Sequence, residues 1–319
     1  LILFGSEPSK PMNYLGIEIG GTKIQVRAEN ERGQLLALER FNASSTADQI
    51  RQQLTDVIQQ FRQQIKFDAA GVGFGGPVDY RTGQICQSFH VDGWHQFSLT
   101  NWLRDITQCP VYADNDANVA TLGEAMRGAG RFYQQVYYVT IGSGVGSGYV
   151  RTGEVIHGRT PGEWEIGHLQ LDPAGTTLQS VASGWGVDER IRLALPLHPD
   201  SVLSQAVQQD PGHEARHLGA ALAGGDAFAE QILADTVQPL AWAFSHVMHL
   251  VHPDVLILGG GVTNLGERLR SAIEQRVTQY VMPAFHPLPP ILLSELGEQV
   301  VPIGAIEWAK YNVKRCRVV

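Results

Sequence analysis

Asp114-Asn115-Asp116-Ala117-Asn118 sets four polar side chains within five residues. A carboxylate in such a run could take the proton of a hydroxyl as its oxygen attacks phosphorus, a contribution typically of about 10²–10⁴-fold. Asp and Asn are also favoured helix N-caps, but a cap needs one of them rather than four. Further along, Glu163-Trp164-Glu165-Ile166-Gly167-His168 places Glu165 and His168 three apart, on one face if the segment is a helical turn. Glu165 offers acceptors and His168 one donor and one acceptor, a set suited to vicinal hydroxyls; the alternative is a surface ion pair. Glycine makes up 35 of 319 residues against a usual share of about 7 %, and it clusters. Gly20-Gly21-Thr22, Gly142-Ser143-Gly144 and Gly259-Gly260-Gly261 each follow an apolar run. Turns without side chains let backbone N–H groups close on an anion, phosphate above all, although glycine also serves simply to tighten hairpins.

Rival phosphate motifs fail on context. Gly71-Val72-Gly73-Phe74-Gly75-Gly76 matches G-x-G-x-x-G, but Pro77 to Gly83 after it reads as a turn where a dinucleotide fold needs a helix. No glycine is followed directly by lysine, which excludes a Walker A loop, and G-x-S-x-G is absent.

The elements that must position these residues follow from periodicity. Apolar runs at Tyr14–Ile19, Ile24–Ala28 and Leu35–Leu38, broken by glycine turns, predict a three-strand meander. Ile50, Leu54, Val57, Ile58, Phe61 and Ile65 recur at three and four and predict an amphipathic helix from Thr46, before a strand at Ala69–Gly73. A helix at Leu99–Asp105, a strand at Val111–Ala113 and a helix from about Ala117 complete the first half. A second meander then begins at Val136, with strands to Ile141, at Gly146–Val150 and at Glu154–Ile156. A repeat of about 120 residues is too long for a solenoid and predicts a duplicated α/β domain whose halves face each other across a cleft. Val187–His249 reads as mostly helical, Val255–Leu258 as a buried strand and Ile303–Val313 as a closing helix.

The length suits about two domains. Twenty-four basic against 32 acidic residues leave a net charge of −8, which disfavours nucleic acid and anionic membranes as partners. Three scattered cysteines, Cys86, Cys109 and Cys316, fit neither a disulfide framework nor a cysteine-rich zinc site. No apolar stretch approaches the roughly 18 residues of a membrane span, and Leu1-Ile2-Leu3-Phe4 is too short for a signal-peptide core. The expectation is a cytoplasmic protein whose fold starts at Met12, residues 1–11 being foreign leader or misplaced start.

In order along the chain, the motifs resemble those of the repressor/open-reading-frame/kinase (ROK) family within the actin/hexokinase superfamily, from about Tyr14 to the C-terminus. Gly16-Ile17-Glu18-Ile19-Gly20-Gly21-Thr22-Lys23 is similar to the family's first phosphate turn, and Thr140 to Gly146 to its second. Gly73 to Pro77 resembles its glycine-rich segment near the sugar, Gly93-Trp94 its G-W dipeptide, and Asn115-Asp116-Ala117-Asn118 its catalytic N-D-A-N. Glu165-Ile166-Gly167-His168 resembles its E-I-G-H sugar contact, Val181 to Gly184 the segment after it, and Leu258 to Val262 the nucleotide-side L-G-G-G-V. The resemblance implies an α/β, duplicated actin-like (ribonuclease-H-like, hexokinase-type) fold of two lobes, a small one of residues 12–125 plus 303–319 and a large one of 126–302. It implies an ATP-dependent hexose kinase, glucose first, with ATP and Mg²⁺ brought together and a homodimer as the allowed assembly. Asp116 would be the base. Gly76, His90, Asn115, Asp116, Glu165, His168 and Gln179 would contact the sugar. Glu18, Gly20, Gly21, Thr22, Lys23, Gly142, Ser143, Gly144, Gly259 and Gly260 would hold the nucleotide.

The departures from the family pattern shape the expectation. Glu18 stands where the family usually has Asp, and His90 and Gln179 stand where it has an asparagine and a glutamate against the sugar. The family's C-x-C-G-x-x-G-C zinc segment falls at Leu169–Ser180, which has no cysteine, so no structural zinc is expected. Losing the carboxylate at Gln179 removes a charge-assisted hydrogen bond of about 1.5–3 kcal/mol, which predicts weaker glucose binding. A larger ring at His90 predicts that N-acetylated hexosamines fit worse than plain hexoses. With Met12 two residues before the first strand, a DNA-binding repressor with the family's N-terminal helix-turn-helix is not expected. The alternatives are a non-catalytic sugar-binding relic, or a kinase for fructose, mannose or N-acetylmannosamine.

Overall fold

The computed structural model describes residues 11–88 and 91–318, which form two compact units. The first takes the described residues up to Gly123, Gly158–Gly162 and the chain from Gln299; the second takes Glu124–His157 and Glu163–Glu298. The return at Gly158–Gly162 is absent from the sequence-based division.

In the first unit, β1 (Asn13–Ile19), β2 (Lys23–Asn30) and β3 (Leu35–Asn42) form the expected meander. After the helix α1 (Ala47–Arg62) come β4 (Ala69–Phe74), a small hairpin β5 (Val78–Asp79) and β6 (Gln84–Ile85), the helix α2 (Leu99–Thr107), β7 (Val111–Asn115) and α3 (Asp116–Arg127). The sheet order is β3-β2-β1-β4-β7, with β1, β4 and β7 parallel. Thr46 caps α1 by accepting from the Gln49 N–H at 3.4 Å, and Ile50, Leu54, Ile58 and Phe61 turn inward, as the periodicity requires.

The second unit repeats the plan. β8 (Gln135–Ile141), β9 (Val145–Arg151) and β10 (Glu154–Val155) form a meander, and β11 (Val255–Gly259) and β12 (Ile291–Leu293) run parallel to β8, in the order β10-β9-β8-β11-β12. Between β10 and β12 lie α4 (Leu178–Ala182), α5 (Gly184–Ala194), α6 (Val202–Gln209), α7 (Leu218–Ala223), α8 (Ala227–Leu250) and α9 (Glu267–Thr278). Two sheets with the same order and the same mix of antiparallel and parallel pairs are the duplication in structural form. Periodicity alone did not give β12, a three-residue run whose pairing with β11 supplies what its length does not. The C-terminal helix runs Val300–Val318 and packs on the first unit's sheet.

That packing explains the first glycine motif. A Cβ on Gly71 would lie 1.8 Å from the Ala305 carbonyl oxygen, and one on Gly304 would lie 1.7 Å from that of Val119. Gly71 is therefore a packing residue inside β4, and the hairpin β5–β6 follows β4 where a dinucleotide fold needs a helix. Among the described residues no helix is long and apolar enough to cross a membrane.

Candidate functional site

In the first unit the tight β1–β2 turn closes with the Gly20 N–H donating to the Lys23 carbonyl at 3.0 Å. A Cβ on Gly20 would come to 3.0 Å from that same oxygen, so the turn favours glycine. Thr22 is exposed at its tip. Beneath it, Glu18 is buried with Lys23 Nζ 3.3 Å from Oε1 and Gln25 Nε2 donating to Oε2 at 2.6 Å. Burial raises the Glu18 pKa, and Lys23 and Gln25 oppose it. Gln25 was not singled out from sequence, yet it pairs with Glu18 across the antiparallel register, a position readable from the centre of the hairpin turn.

The β4 glycines reach the same place. The Gly75 N–H donates to the Ile19 carbonyl at 2.9 Å, and a Cβ on Gly75 would sit 3.4 Å from Asp116 Oδ2 and 3.5 Å from the Gly20 Cα. Asp116, Gly75 and the first glycine turn are thus neighbours. Asp116 opens α3, one residue earlier than the periodicity suggests, because the capping work falls to Asn115. Asn115 Oδ1 accepts from the Ala117 N–H at 2.8 Å, and its Nδ2 donates to the Gly76 carbonyl at 3.2 Å. Asp114 Oδ1 accepts from Asn118 Nδ2 at 3.0 Å and from the Asn115 N–H at 2.7 Å. His90 lies outside the described residues. Trp94 is fully buried edge-on to Phe74, which makes the G-W dipeptide a packing feature beside the crevice of Gly20, Gly21 and Gly75.

In the second unit the β8–β9 turn mirrors the first, with the Gly142 N–H donating to the Gly144 carbonyl at 2.9 Å. The Gly184 N–H donates to the Gly142 carbonyl at 2.7 Å, and Ser183 caps α5 behind it by accepting from the Gly186 N–H at 3.1 Å. Gly260 has φ +87° and a Cβ there would lie 2.6 Å from the Ile141 backbone, so the third glycine cluster lies against the second turn. Gln179 Oε1 accepts from the Val145 N–H at 3.2 Å and would be 2.7 Å from a Cβ on Gly144. Its amide is set against this turn, a placement that the motif alone did not reveal.

Glu165 precedes a 3₁₀ turn, Ile166–His168, whose His168 N–H donates to the Glu165 carbonyl at 3.0 Å. Both side chains are solvent-accessible, yet enough protein surrounds the Glu165 carboxyl to raise its pKa by desolvation, with His168 opposing and Glu163 adding. The Leu169–Leu178 loop closes on itself: Leu171 N–H to the Thr176 carbonyl at 2.8 Å, Leu178 N–H to the Leu169 carbonyl at 3.0 Å, and Thr176 N–H to Asp172 Oδ1 at 3.2 Å. These bonds hold the segment where the sequence lacks cysteines.

The chain matches the ROK family over residues 14–312 and belongs to it. It is 28 % identical over 313 residues to a glucokinase of Thermotoga maritima, covering 95 % of this chain and 98 % of that one. Its fold superposes on a ROK hexokinase from Thermus thermophilus with a TM-score of 0.78 at 26 % identity, covering 95 % of this chain and all of the other. A ROK glucokinase from Streptomyces griseus, crystallised with glucose and AMPPNP, gives a TM-score of 0.83 at 24 % identity over 95 % and 100 % of the two chains. The fold class is the duplicated actin-like one.

Proposed function

We propose that this protein, a sugar kinase, transfers the γ-phosphoryl group of Mg·ATP to a hydroxyl of glucose, giving glucose 6-phosphate and ADP. The observation that carries the reading is the placement of Asp116 beside Gly75 and the first glycine turn, with the neighbouring Asn115 bonded to the Gly76 carbonyl. The sugar oxygen attacks the γ-phosphorus as its proton passes to Asp116, and the bond from phosphorus to the β–γ bridging oxygen breaks to release ADP. Asn115, Glu165 and His168 orient sugar hydroxyls, with Gly76 beside Asn115, and the role of His90 rests on the sequence resemblance. Gly21, Thr22, Ser143 and Gly144 offer backbone or hydroxyl donors to phosphate oxygens, in turns that Gly20 and Gly142 close through their own N–H groups, with Gly259 and Gly260 on the nucleoside side. Glu18 and Lys23, which the resemblance sets against the nucleotide, pair beneath the first turn, and Mg²⁺ comes with the nucleotide. The glucokinase relative and the glucose-bound neighbour support glucose as the first sugar to test. Coupled ADP release over glucose, fructose, mannose, N-acetylglucosamine and N-acetylmannosamine tests the reading; no turnover with any of them overturns it.

Gln179→Glu is expected to lower the glucose KM several-fold by restoring a carboxylate, and to raise the ATP KM because its charge lies against the Gly144 turn. A raised glucose KM removes Gln179 from the sugar subsite. The Leu169–Leu178 loop closes through its own hydrogen bonds, so chelator-washed protein is expected to hold no structural zinc. Elemental analysis checks this; one tightly held zinc per chain refutes it.

A further inference from the structure

We infer that Trp164 is a positioning residue, a clamped pivot through which the second unit's sheet sets the direction of Glu165 and His168. The inference rests on the sugar-binding role proposed above for those two residues.

Trp164 has φ +59°, a conformation disfavoured for L-residues and rare for a bulky aromatic one. Such a residue persists where its surroundings over-determine it, and the surroundings here are specific. The ring stands edge-on to Tyr149 and Tyr137, with centroids at 5.3 and 6.1 Å. Nε1 donates to the Ile156 carbonyl at 2.6 Å. The Trp164 carbonyl accepts from the Ile166 N–H at 2.7 Å and from Ser147 Oγ. Ser147 has one proton and gives it to that carbonyl, so its 2.9 Å bond to Tyr137 must be one in which the phenol donates. Burial pushes the Tyr137 pKa up to about 12, which keeps that donor protonated at working pH.

The result is a directed chain, Tyr137 to Ser147 to the Trp164 carbonyl, anchored on β8 and β9. On the far side of the pivot the next residue is Glu165, whose carbonyl starts the turn carrying His168. A Cβ on Gly167 would lie 2.1 Å from the Val145 carbonyl oxygen, so that turn is pressed against the start of β9 as well. Glu165 and His168 therefore inherit their direction from the sheet at two points, Trp164 before them and Gly167 between them. A surface ion pair needs no such support. A pair of hydroxyl ligands does, because misplacement by about 1 Å can cost on the order of 100-fold.

The test is initial-rate kinetics with glucose and ATP each varied, for wild type, Trp164→Gly, Trp164→Phe and Ser147→Ala. Trp164→Gly accepts the backbone angle and removes every ring contact; it is expected to raise the glucose KM by about 10-fold or more while the ATP KM stays within about twofold. Trp164→Phe keeps the ring between the tyrosines and should fall between it and wild type. Glucose should also change the tryptophan emission of wild type by more than that of Trp164→Phe. An unchanged glucose KM in folded Trp164→Gly, or an ATP KM that rises in step with it, overturns the inference. If Trp164→Gly does not fold, Trp164→Phe and Ser147→Ala decide by the same split. If wild type turns over no hexose, the proposed function fails, and calorimetric glucose binding to the same variants decides the pivot; no binding by wild type overturns both.

Discussion

Asp116→Asn is expected to lower kcat by at least about 100-fold while the sugar Kd stays within about twofold, since loss of a general base costs 10²–10⁴-fold. The geometry makes this a clean substitution. Asp116 Oδ1 accepts from the Ala117 N–H at 2.8 Å, and an asparagine Oδ1 can do the same, so the start of α3 survives. Asp116 Oδ2, the oxygen toward Gly75, becomes an NH₂ group that cannot take a proton from a hydroxyl. Asn115 keeps its bond to the Gly76 carbonyl, so the neighbouring sugar contact is undisturbed. Single-turnover rates and calorimetric sugar binding separate the two effects. A variant with more than about a tenth of wild-type kcat would take Asp116 out of the role of base.

Gly71→Ala should be among the most damaging small substitutions in the fold. Its Cβ would lie 1.8 Å from the Ala305 carbonyl oxygen and 2.6 Å from the carbonyl carbon, and neither atom belongs to a flexible side chain. The C-terminal helix must move off β4, disturbing the contact made by Gly304 against Val119 as well. Overpacking of this kind costs about 3 kcal/mol or more where backbone has to shift. At roughly 2–4 °C per kcal/mol for a chain of this order of size, Tm should fall by about 6–12 °C. Ala305→Gly leaves the obstructing carbonyl in place and should not rescue it. A Tm within about 2 °C of wild type would mean the helix yields far more easily than close packing allows.

The motifs of the site were legible in the sequence because each is local. A glycine turn between two apolar runs, a polar run at a strand–helix junction and two polar residues three apart need only nearest neighbours to be recognised. The same holds for the strands and helices of the first unit, whose boundaries move by one to a few residues where caps take over, as at Asn115 and Thr46.

What the sequence by itself determined is therefore the inventory: two meanders of one plan, the glycine turns, Asp116 with Asn115, Glu165 with His168, and membership of a family of sugar kinases and related repressors. Only the tertiary structure set Gly71 against the Ala305 carbonyl and Gly75 beside Asp116 and the first glycine turn. It alone turned Gln179 toward the Val145 N–H and clamped Trp164 between two tyrosines. The physical reason is that periodicity reports which side of an element faces inward, whereas these partners come from strands and loops distant in the chain. Their distances are set by how the elements pack.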